Sequence, residues 1–371
     1  MVSWKNGAIG SVMIKMLILS LTGQCNFACK YCYAHEHPAE IMDVATAIAA
    51  VELAAADGQA FVLQFSGGEP LLNFPVMQEV ICYVCEQGLP AIMQLQTNAS
   101  LMTQERAAVL KAGQVGIGIS LDGRPDINDR QRLLPDGQGT CRQILNGAGL
   151  LATQGIATGI TAVVTNENVT KLSGIVEMAY YLGNVRRIGF DLLRAQGRGG
   201  EMAAPSSEDV WQGMKEAFQT AEQLAKQTRK SMLFSQIERV DTLAKSQMQG
   251  FAHCHAMNGE AVFVDAQGNL YACASLAGNP DFYLGHVTTG LDKAKQKKVA
   301  TLIQEGMSFC RKCPSFSLCG GACFARWYGA NCGKQGYAAE CALKQVAIEW
   351  YLEHQGQERI GHESCVTTCR C

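Results

Sequence analysis

The sequence predicts an α/β protein: a partial (β/α)6 barrel followed by a small cysteine-rich α+β region. Three observations carry that reading. From residue 15 to about 193, short apolar runs alternate with longer helical patterns, the rhythm of right-handed βα crossovers in a parallel sheet. After about residue 205 the alternation stops and a long helical pattern follows. From Cys254 onward, cysteine and glycine become dense and the strands shorten. The expected divisions are 10–205 for the barrel, 206–250 for a helical linker, 251–355 for the cysteine-rich unit and 356–371 for a cysteine-rich tail.

The expected strands are 15–22, 60–66, 91–97, 116–121, 157–164 and 187–193. The helices between them are 42–56, 74–87, 103–112, 140–153 and 169–182. Six units are too few for a closed eight-fold barrel. In such folds ligand chemistry gathers at the carboxyl ends of the strands. The unusual residues fall there: a cysteine stretch after the first strand, Gly67-Gly68-Glu69-Pro70 after the second, Thr97-Asn98 after the third, Ser120 and Asp122-Gly123 at the fourth, and Leu193-Arg194 at the sixth. Further on, 206–229 reads as a helix, 261–264 as a strand, Gln267-Gly268 as a hairpin turn before 269–273, and 336–355 as a closing helix. The core of this last region looks thin, so bound metal is expected to help hold it.

Composition narrows the function classes. The chain has 371 residues, 48% of them apolar and 17% charged, with a net charge of −2. No basic tract points to nucleic acid or a membrane surface. The apolar run at 9–21 is interrupted by Lys15 and is too short for a membrane span. A cytoplasmic location is expected. Seventeen cysteines is a high and odd number, which suits metal or cluster binding better than a disulfide framework.

Residues 22–34 read TGQCNFACKYCYA and place Cys25, Cys29 and Cys32 at C-x3-C-x2-C. Three thiolates can hold three corners of a cubane iron–sulfur cluster, leaving the fourth iron without a protein ligand. A structural zinc site uses similar spacing but needs four ligands.

This stretch, an aromatic before its third cysteine, GGEP after the second strand and SLDG after the fourth together resemble the radical S-adenosylmethionine (SAM) superfamily, over roughly residues 10–205. The resemblance implies a radical SAM barrel. The open iron would chelate SAM through its amino and carboxylate groups, and an electron from the cluster would release a 5′-deoxyadenosyl radical. It also implies site residues. Gly67 and Gly68 would bring backbone polar groups to the SAM amino end, in a turn fixed by Glu69 and Pro70. Tyr31 and Leu193 would lie near the adenine, with plain core packing as the alternative for each. Asn98 and Ser120 would suit the ribose or carboxylate, and Arg132 the carboxylate, with Arg142 as its rival. Asp122 is a catalytic candidate at the rim, or a cap for the following turn. Cys82, Cys85 and Cys141 read as core residues.

The later cysteines run Cys254-x13-Gly268-x4-Cys273, then Cys310-x2-Cys313-x5-Cys319-x3-Cys323, then Cys341. This looks like the SPASM extension of radical SAM enzymes that modify peptides and proteins, in which seven cysteines hold two auxiliary [4Fe–4S] clusters. The resemblance implies an outer cluster on Cys310, Cys313, Cys319 and Cys341, and an inner one on Cys254, Cys273 and Cys323. The fourth inner site would be open, or filled by Cys332 or by a tail cysteine among Cys365, Cys369 and Cys371. A zinc-ribbon-like knot is the alternative for this region.

Two departures bear on the substrate. Sulfatase-maturing members carry an extra cysteine soon after the first and an acidic residue directly after Gly-x4-Cys. Here Glu260 and Ala274 fall at those places. The cluster motif begins by residue 25, so no leader-binding domain is expected before it. The expectation is therefore a peptide maturase acting on a ribosomally made peptide or protein, a cysteine-containing one in the thioether reading. A thioether is the leading product, and formylglycine formation, carbon–carbon crosslinking and epimerisation are the alternatives. An external electron donor of flavodoxin or ferredoxin type and a separate leader-binding protein are the expected partners. An iron–sulfur electron carrier without SAM chemistry is the reading from another class.

Overall fold

The computed structural model describes residues 13–246, 250–333 and 335–354. The tail cysteines lie outside the described residues.

The first half of the chain is built of βα units. In chain order they are β1 (Met16–Ser20), α1 (Val44–Ala55), β2 (Phe61–Ser66), α2 (Phe74–Glu86), β3 (Ala91–Thr97), α3 (Gln104–Ala112), β4 (Gly116–Ser120), α4 (Pro125–Gln131), α5 (Cys141–Thr153), β5 (Thr158–Val164), α6 (Leu172–Leu182) and β6 (Val185–Leu192). Side-chain caps set several helix starts. Asp43 accepts the Thr46 N–H at 2.7 Å before α1, and Thr103 does the same for Arg106 before α3. Gly183, at φ +75°, ends α6 in the left-handed conformation.

Beyond β6 come α7 (Ser207–Thr228), β7 (Leu233–Phe234), α8 (Ser235–Ser246), β8 (Ala261–Val264), β9 (Asn269–Tyr271), β10 (Tyr283–His286), β11 (Gly290–Leu291), α9 (Lys293–Gly306), α10 (Phe316–Cys319), α11 (Phe324–Gly329) and α12 (Gln335–His354). The described strands form one sheet, ordered β11-β10-β9-β8-β1-β2-β3-β4-β5-β6-β7. From β8 to β7 every pairing is parallel, while β8, β9, β10 and β11 form an antiparallel meander. The order has two ends, so the barrel is partial.

The expected strand–helix alternation is present, and the hairpin at Gln267-Gly268 joins β8 to β9. The cysteine-rich region, however, does not stand apart. Strand β8 pairs with β1, in register Met16↔Ala261 to Leu19↔Val264. A single apolar core runs from Leu17 and Phe65 through Phe218 to Phe282 and Val346. Sequence reasoning gave the later region a thin core of its own; it shares the core of the barrel instead.

Each barrel strand alternates in burial. Leu63 and Phe65, Ile117 and Ile119, and Ile160 and Ala162 are buried. Their neighbours Gln64, Gly118, Ser120, Gly159 and Thr161 are only half-buried. Fully burying an aliphatic or phenyl side chain contributes roughly 1.5–3 kcal/mol, so the apolar face fixes the register and leaves a polar, small-residue face for chemistry.

Cysteines 82 and 85 correct the sequence reading. Helix α2 buries Val76, Met77, Val80, Ile81 and Val84, and both cysteines are exposed. Cys141 is buried, as expected.

Candidate active site

The cysteine loop leaves β1 and is held by backbone on three sides. On the first side, the Gly68 and Glu69 N–H groups donate to Thr22 O and Gln24 O, both at 2.8 Å. On the second, Ala28 and Lys30 donate to Leu133 O and Gln131 O at 2.6 and 2.9 Å. On the third, the Arg198 N–H donates to Cys32 O at 3.1 Å. The turns after β2, α4 and β6 therefore converge on Cys25, Cys29 and Cys32. Burial pushes the Cys29 thiol up to about 11, with Arg132 opposing and Asp122 and Cys32 adding to the rise. The three thiols are near enough that Cys29 and Cys32 also raise Cys25. Such thiols stay protonated until a bound cation draws the protons off.

Among the described residues, no three His, Cys, Asp or Glu side chains could share a single metal ion. A closed zinc site needs four ligands at about 2.0–2.3 Å. A cubane takes one thiolate at each of separate irons, so its ligands need not converge on a point. The donor set suits the cluster.

The two glycines of GGEP have a tight structural reason. A Cβ on Gly67, at φ +137°, would lie 2.3 Å from Thr22 O, and one on Gly68 would lie 2.2 Å from Gln24 O. Only glycine lets this turn close onto the cysteine loop. Glu69 is buried and accepts three bonds: from the Thr97 hydroxyl at 2.6 Å, the Asn98 N–H at 2.8 Å and the Leu71 N–H at 3.1 Å. Burial raises its carboxyl, and these bonds oppose the rise. It ties the turn after β2 to the end of β3. Asn98 in turn donates to Asn26 Oδ1 at 3.0 Å and accepts from the Ser100 hydroxyl at 2.7 Å.

Asp122 is completely buried. Its carboxylate accepts from the Tyr31 hydroxyl at 2.5 Å, the Arg132 Nη2 at 3.1 Å and the Val163 N–H at 2.9 Å. Arg132 Nε lies 3.0 Å from Asp122 Oδ2, and its guanidinium carbon 5.4 Å from the centre of the Tyr31 ring. Asp122 thus anchors the cysteine loop to β5 through Tyr31 and Arg132. The rival Arg142 is exposed on α5. Ser120 accepts from Gln96 Nε2 at 2.9 Å, and Gln96 accepts from Thr161 at 3.1 Å. This chain of polar groups crosses the inner face of β3, β4 and β5. Gln96 and Thr161 line a cavity of about 440 Å³ together with Gln64, Gly118 and Gly189, and it opens toward the amino ends of β4, β5 and β6 at Gly116, Thr158 and Arg186. Leu193 is buried and donates its N–H to Val164 O at 3.0 Å.

The later cysteines sort into two neighbourhoods. Burial pushes Cys254 up to about 12, and the Cys323 and Cys273 thiols add to it. Cys341 is likewise pushed up to about 12 by burial, with Cys319 and Cys310 contributing. Cys313 is exposed at the end of the turn Ser308–Lys312, and its N–H donates to Cys310 O at 3.0 Å. Cys332 is exposed.

A charge network, buried at Arg326 and Glu340 and half-buried at Asp191 and Arg194, joins these cysteines to the barrel. Asp191, near the end of β6, pairs with Arg194 Nη1 at 2.7 Å and with Arg326. Arg326 also pairs with Glu340 at 2.9 Å, and Glu340 accepts the Cys323 N–H at 3.0 Å. Burial opposes both acids' ionisation; Arg194 and Arg326 outweigh it at Asp191, and Arg326, His253 and Lys344 do so at Glu340. Tyr33 is half-buried at this seam. Burial pushes its hydroxyl up to about 12, against the pull of Arg194, and the Cys273 and Cys32 thiols add to the rise. His37 Nε2 is 3.1 Å from Ala274 O. Sequence reasoning missed Tyr33, Asp191, Arg326 and Glu340. The available signal was placement: Tyr33 follows Cys32, Arg326 stands three residues after Cys323, and Glu340 directly precedes Cys341.

Against known proteins, residues 19–179 match the family model of the radical SAM superfamily. An uncharacterized protein of Methanocaldococcus jannaschii is 30% identical over 269 residues, spanning 71% of this chain and 86% of its own. The serine-type anaerobic sulfatase-maturating enzyme of Klebsiella aerogenes is 26% identical over 340 residues, spanning 86% of this chain and 82% of its own. Among solved structures, native anSMEcpe with bound AdoMet and Cp18Cys peptide superposes with a TM-score of 0.72 at 18% identity, over 91% of this chain and 99% of that one. The chain is a radical SAM superfamily enzyme. Members of that superfamily use SAM and a [4Fe–4S] cluster, and the α/β fold is that of the anSMEcpe structure. Among the described residues, no helix is long and apolar enough to cross a membrane.

Proposed function

We propose that this enzyme modifies a peptide or protein, with SAM and one [4Fe–4S] cluster at Cys25, Cys29 and Cys32 and two auxiliary clusters in the cysteine-rich region. SAM bound there supplies, on reduction, a 5′-deoxyadenosyl radical that takes a hydrogen atom from the substrate. The chain's own residues position the reactants. Asn98 and Ser120 offer amide and hydroxyl groups to SAM. Tyr31 and Leu193 pack its adenine side, and the turn at Gly67, Gly68 and Glu69 receives its amino end. Arg132 donates Nη2 to Asp122 at 3.1 Å, and its guanidinium would pair with the SAM carboxylate.

The observation that carries this reading is the meeting of the two cysteine regions at Tyr33. There the Arg194 guanidinium carbon lies 4.9 Å from the centre of the half-buried Tyr33 ring, next to Cys32, and His37 Nε2 lies 3.1 Å from the carbonyl oxygen of Ala274, next to Cys273. A substrate in the barrel would therefore lie beside both cysteine sets. The inner cluster is assigned to Cys254, Cys273 and Cys323, and the outer to Cys310, Cys313, Cys319 and Cys341. The inner set offers three thiols, leaving room for a substrate thiolate. This supports a thioether as the leading product. Thioether formation removes a hydrogen atom from carbon and a proton from the thiol. It releases one electron, which an iron–sulfur acceptor would take. An external one-electron donor and a separate leader-binding protein complete the proposed system.

A second reading, formylglycine formation, is supported by the Klebsiella relative named above. Ala274 directly after Cys273 weighs against it, because no acid stands there to take the substrate proton.

The test is anaerobic loading followed by iron and product analysis. About twelve irons per chain are expected from three four-iron clusters. The loaded enzyme should release 5′-deoxyadenosine and convert a cysteine-containing peptide to a product lighter by two hydrogens. Release no greater than that of Cys29→Ala would sink the radical reading, and about four irons would remove the auxiliary clusters.

A further inference from the structure

Glu340 lies on α12, directly before Cys341 of the outer set, and is 3% exposed. Its side chain turns to the inner set. Oε2 accepts the Cys323 N–H at 3.0 Å and lies 2.9 Å from Arg326 Nη1. Oε1 lies 3.5 Å from Nε2 of His253, the residue before Cys254, and 3.7 Å from Lys344 Nζ, one turn along the helix. Lys344 Nζ is in turn 2.8 Å from His253 Nδ1 and donates to Gly321 O, the same oxygen that accepts the Cys319 thiol at 3.6 Å. The Ala252 and His253 N–H groups donate to Gly320 O at 2.9 and 3.0 Å. One buried carboxylate thus reaches the flanks of Cys254 and Cys323 in the inner set and stands one residue from Cys341 in the outer. Replacing a buried ion pair by apolar packing is often neutral or stabilising, so adhesion alone does not account for this group.

We propose that Glu340 is a positioning residue shared by the two auxiliary cluster sites: it holds the Cys323 backbone in place, and its negative charge lowers the reduction potentials of both clusters together. The inference rests on the auxiliary-cluster reading of the two cysteine sets. A reduced cluster carries one more negative charge than an oxidised one, so a fixed anion beside it disfavours reduction, and burial keeps that interaction strong. Lys344 acts in the opposite sense. The network sets Asp191 and Glu340 against Arg194, Arg326 and Lys344. Loss of the Glu340 charge leaves the cations further in excess, and loss of the Lys344 charge restores the balance. Because one carboxylate serves both sets, a change at it moves both.

The test is a potentiometric titration of the anaerobically loaded enzyme, read by electron paramagnetic resonance. The first cluster, marked as the signal that SAM alters, is the internal reference. Glu340→Gln keeps an oxygen for the Cys323 N–H and removes the charge. Both auxiliary potentials should rise, on the order of tenfold in the reduced-to-oxidised ratio, or about 59 mV for a one-electron couple, with iron content and the reference unmoved. Lys344→Met removes a cation from the same network and should lower both, so either variant answers if the other fails to fold. Glu353→Gln, exposed on the same helix, should move neither. Unmoved potentials, shifts of the same sign in Glu340→Gln and Lys344→Met, or a shift confined to one set overturns the proposal. Glu340→Ala, which also loses the acceptor, should lose iron from the inner set, and full iron there overturns the positioning role. The cluster reading is judged separately on the wild type: about four irons per chain would remove it before any variant is made.

Discussion

Arg132 Nε lies 3.0 Å from Asp122 Oδ2, and both side chains are shut away from solvent. The Cys29 thiol, raised by burial, feels both charges, Arg132 lowering it and Asp122 raising it. Removing one partner would strand the other as a buried charge. Asp122→Ala should therefore cost about 3–5 kcal/mol in urea unfolding of the metal-free protein. Asp122→Ala combined with Arg132→Met should cost clearly less than the two single losses added together. Strict additivity would mean the two groups are not coupled.

The closeness of Gly67 to Thr22 leads to a prediction about iron. Gly67→Ala must push the turn off the cysteine loop, since its Cβ would sit 2.3 Å from a carbonyl oxygen. Gly58 also has positive φ, +70°, but nothing within 4 Å. Gly58→Ala should cost only about 1–2 kcal/mol of backbone strain and leave iron uptake intact. Gly67→Ala should lose iron at the first site as well. Equal iron in the two variants would show that the turn does not support the loop.

Asp191 holds two arginines, and its carboxyl is depressed below the ordinary 3.8 because they outweigh the effect of burial. A depressed carboxyl contributes stability that is present above its unfolded value and lost as pH falls through its folded one. The acid limb below about pH 3.8 should therefore flatten in Asp191→Asn. At neutral pH the variant should lose on the order of 1–3 kcal/mol, because Asp191 is partly exposed and Arg326 keeps Glu340. Retention of the full acid limb would assign that limb to other carboxyls.

Cys82 and Cys85 are exposed on α2, and Cys141 is buried. In the folded, loaded enzyme, iodoacetamide should label the first two and spare the third. All three Cys→Ala variants should keep the wild-type iron content. Loss of iron in any of them would give it a ligand role.

The barrel was legible because its signals are local and repeated. The strands at 61–66 and 91–97 are short apolar runs, and each is followed at once by a polar motif. The cysteine stretches stood out by their spacing, and their division into an inner and an outer set came from the family resemblance. What was not legible depends on contacts between distant segments. Asp191 and Arg326 are 135 residues apart, and nothing near either announces the other. Arg132 was expected to face a ligand, and most of its fork faces Asp122. The α2 cysteines were misplaced because a helix with many apolar residues does not by itself declare which side is inward; Ile81 and Val84 took the core and turned Cys82 and Cys85 out.

The pairing of β8 with β1 bears on how the chain is made. Residues 16–19 emerge early during synthesis, yet their partners at 261–264 leave the ribosome far later. At 5–20 residues per second the wait is on the order of tens of seconds. Throughout it, one edge of β1 carries unpaired backbone groups beside the cysteine loop, and an open strand edge invites pairing with other chains. The nascent protein is thus most prone to aggregation just before its final third arrives. Slowing translation ahead of residue 261, or withholding chaperones, should lower the yield of soluble enzyme more than slowing it after residue 291.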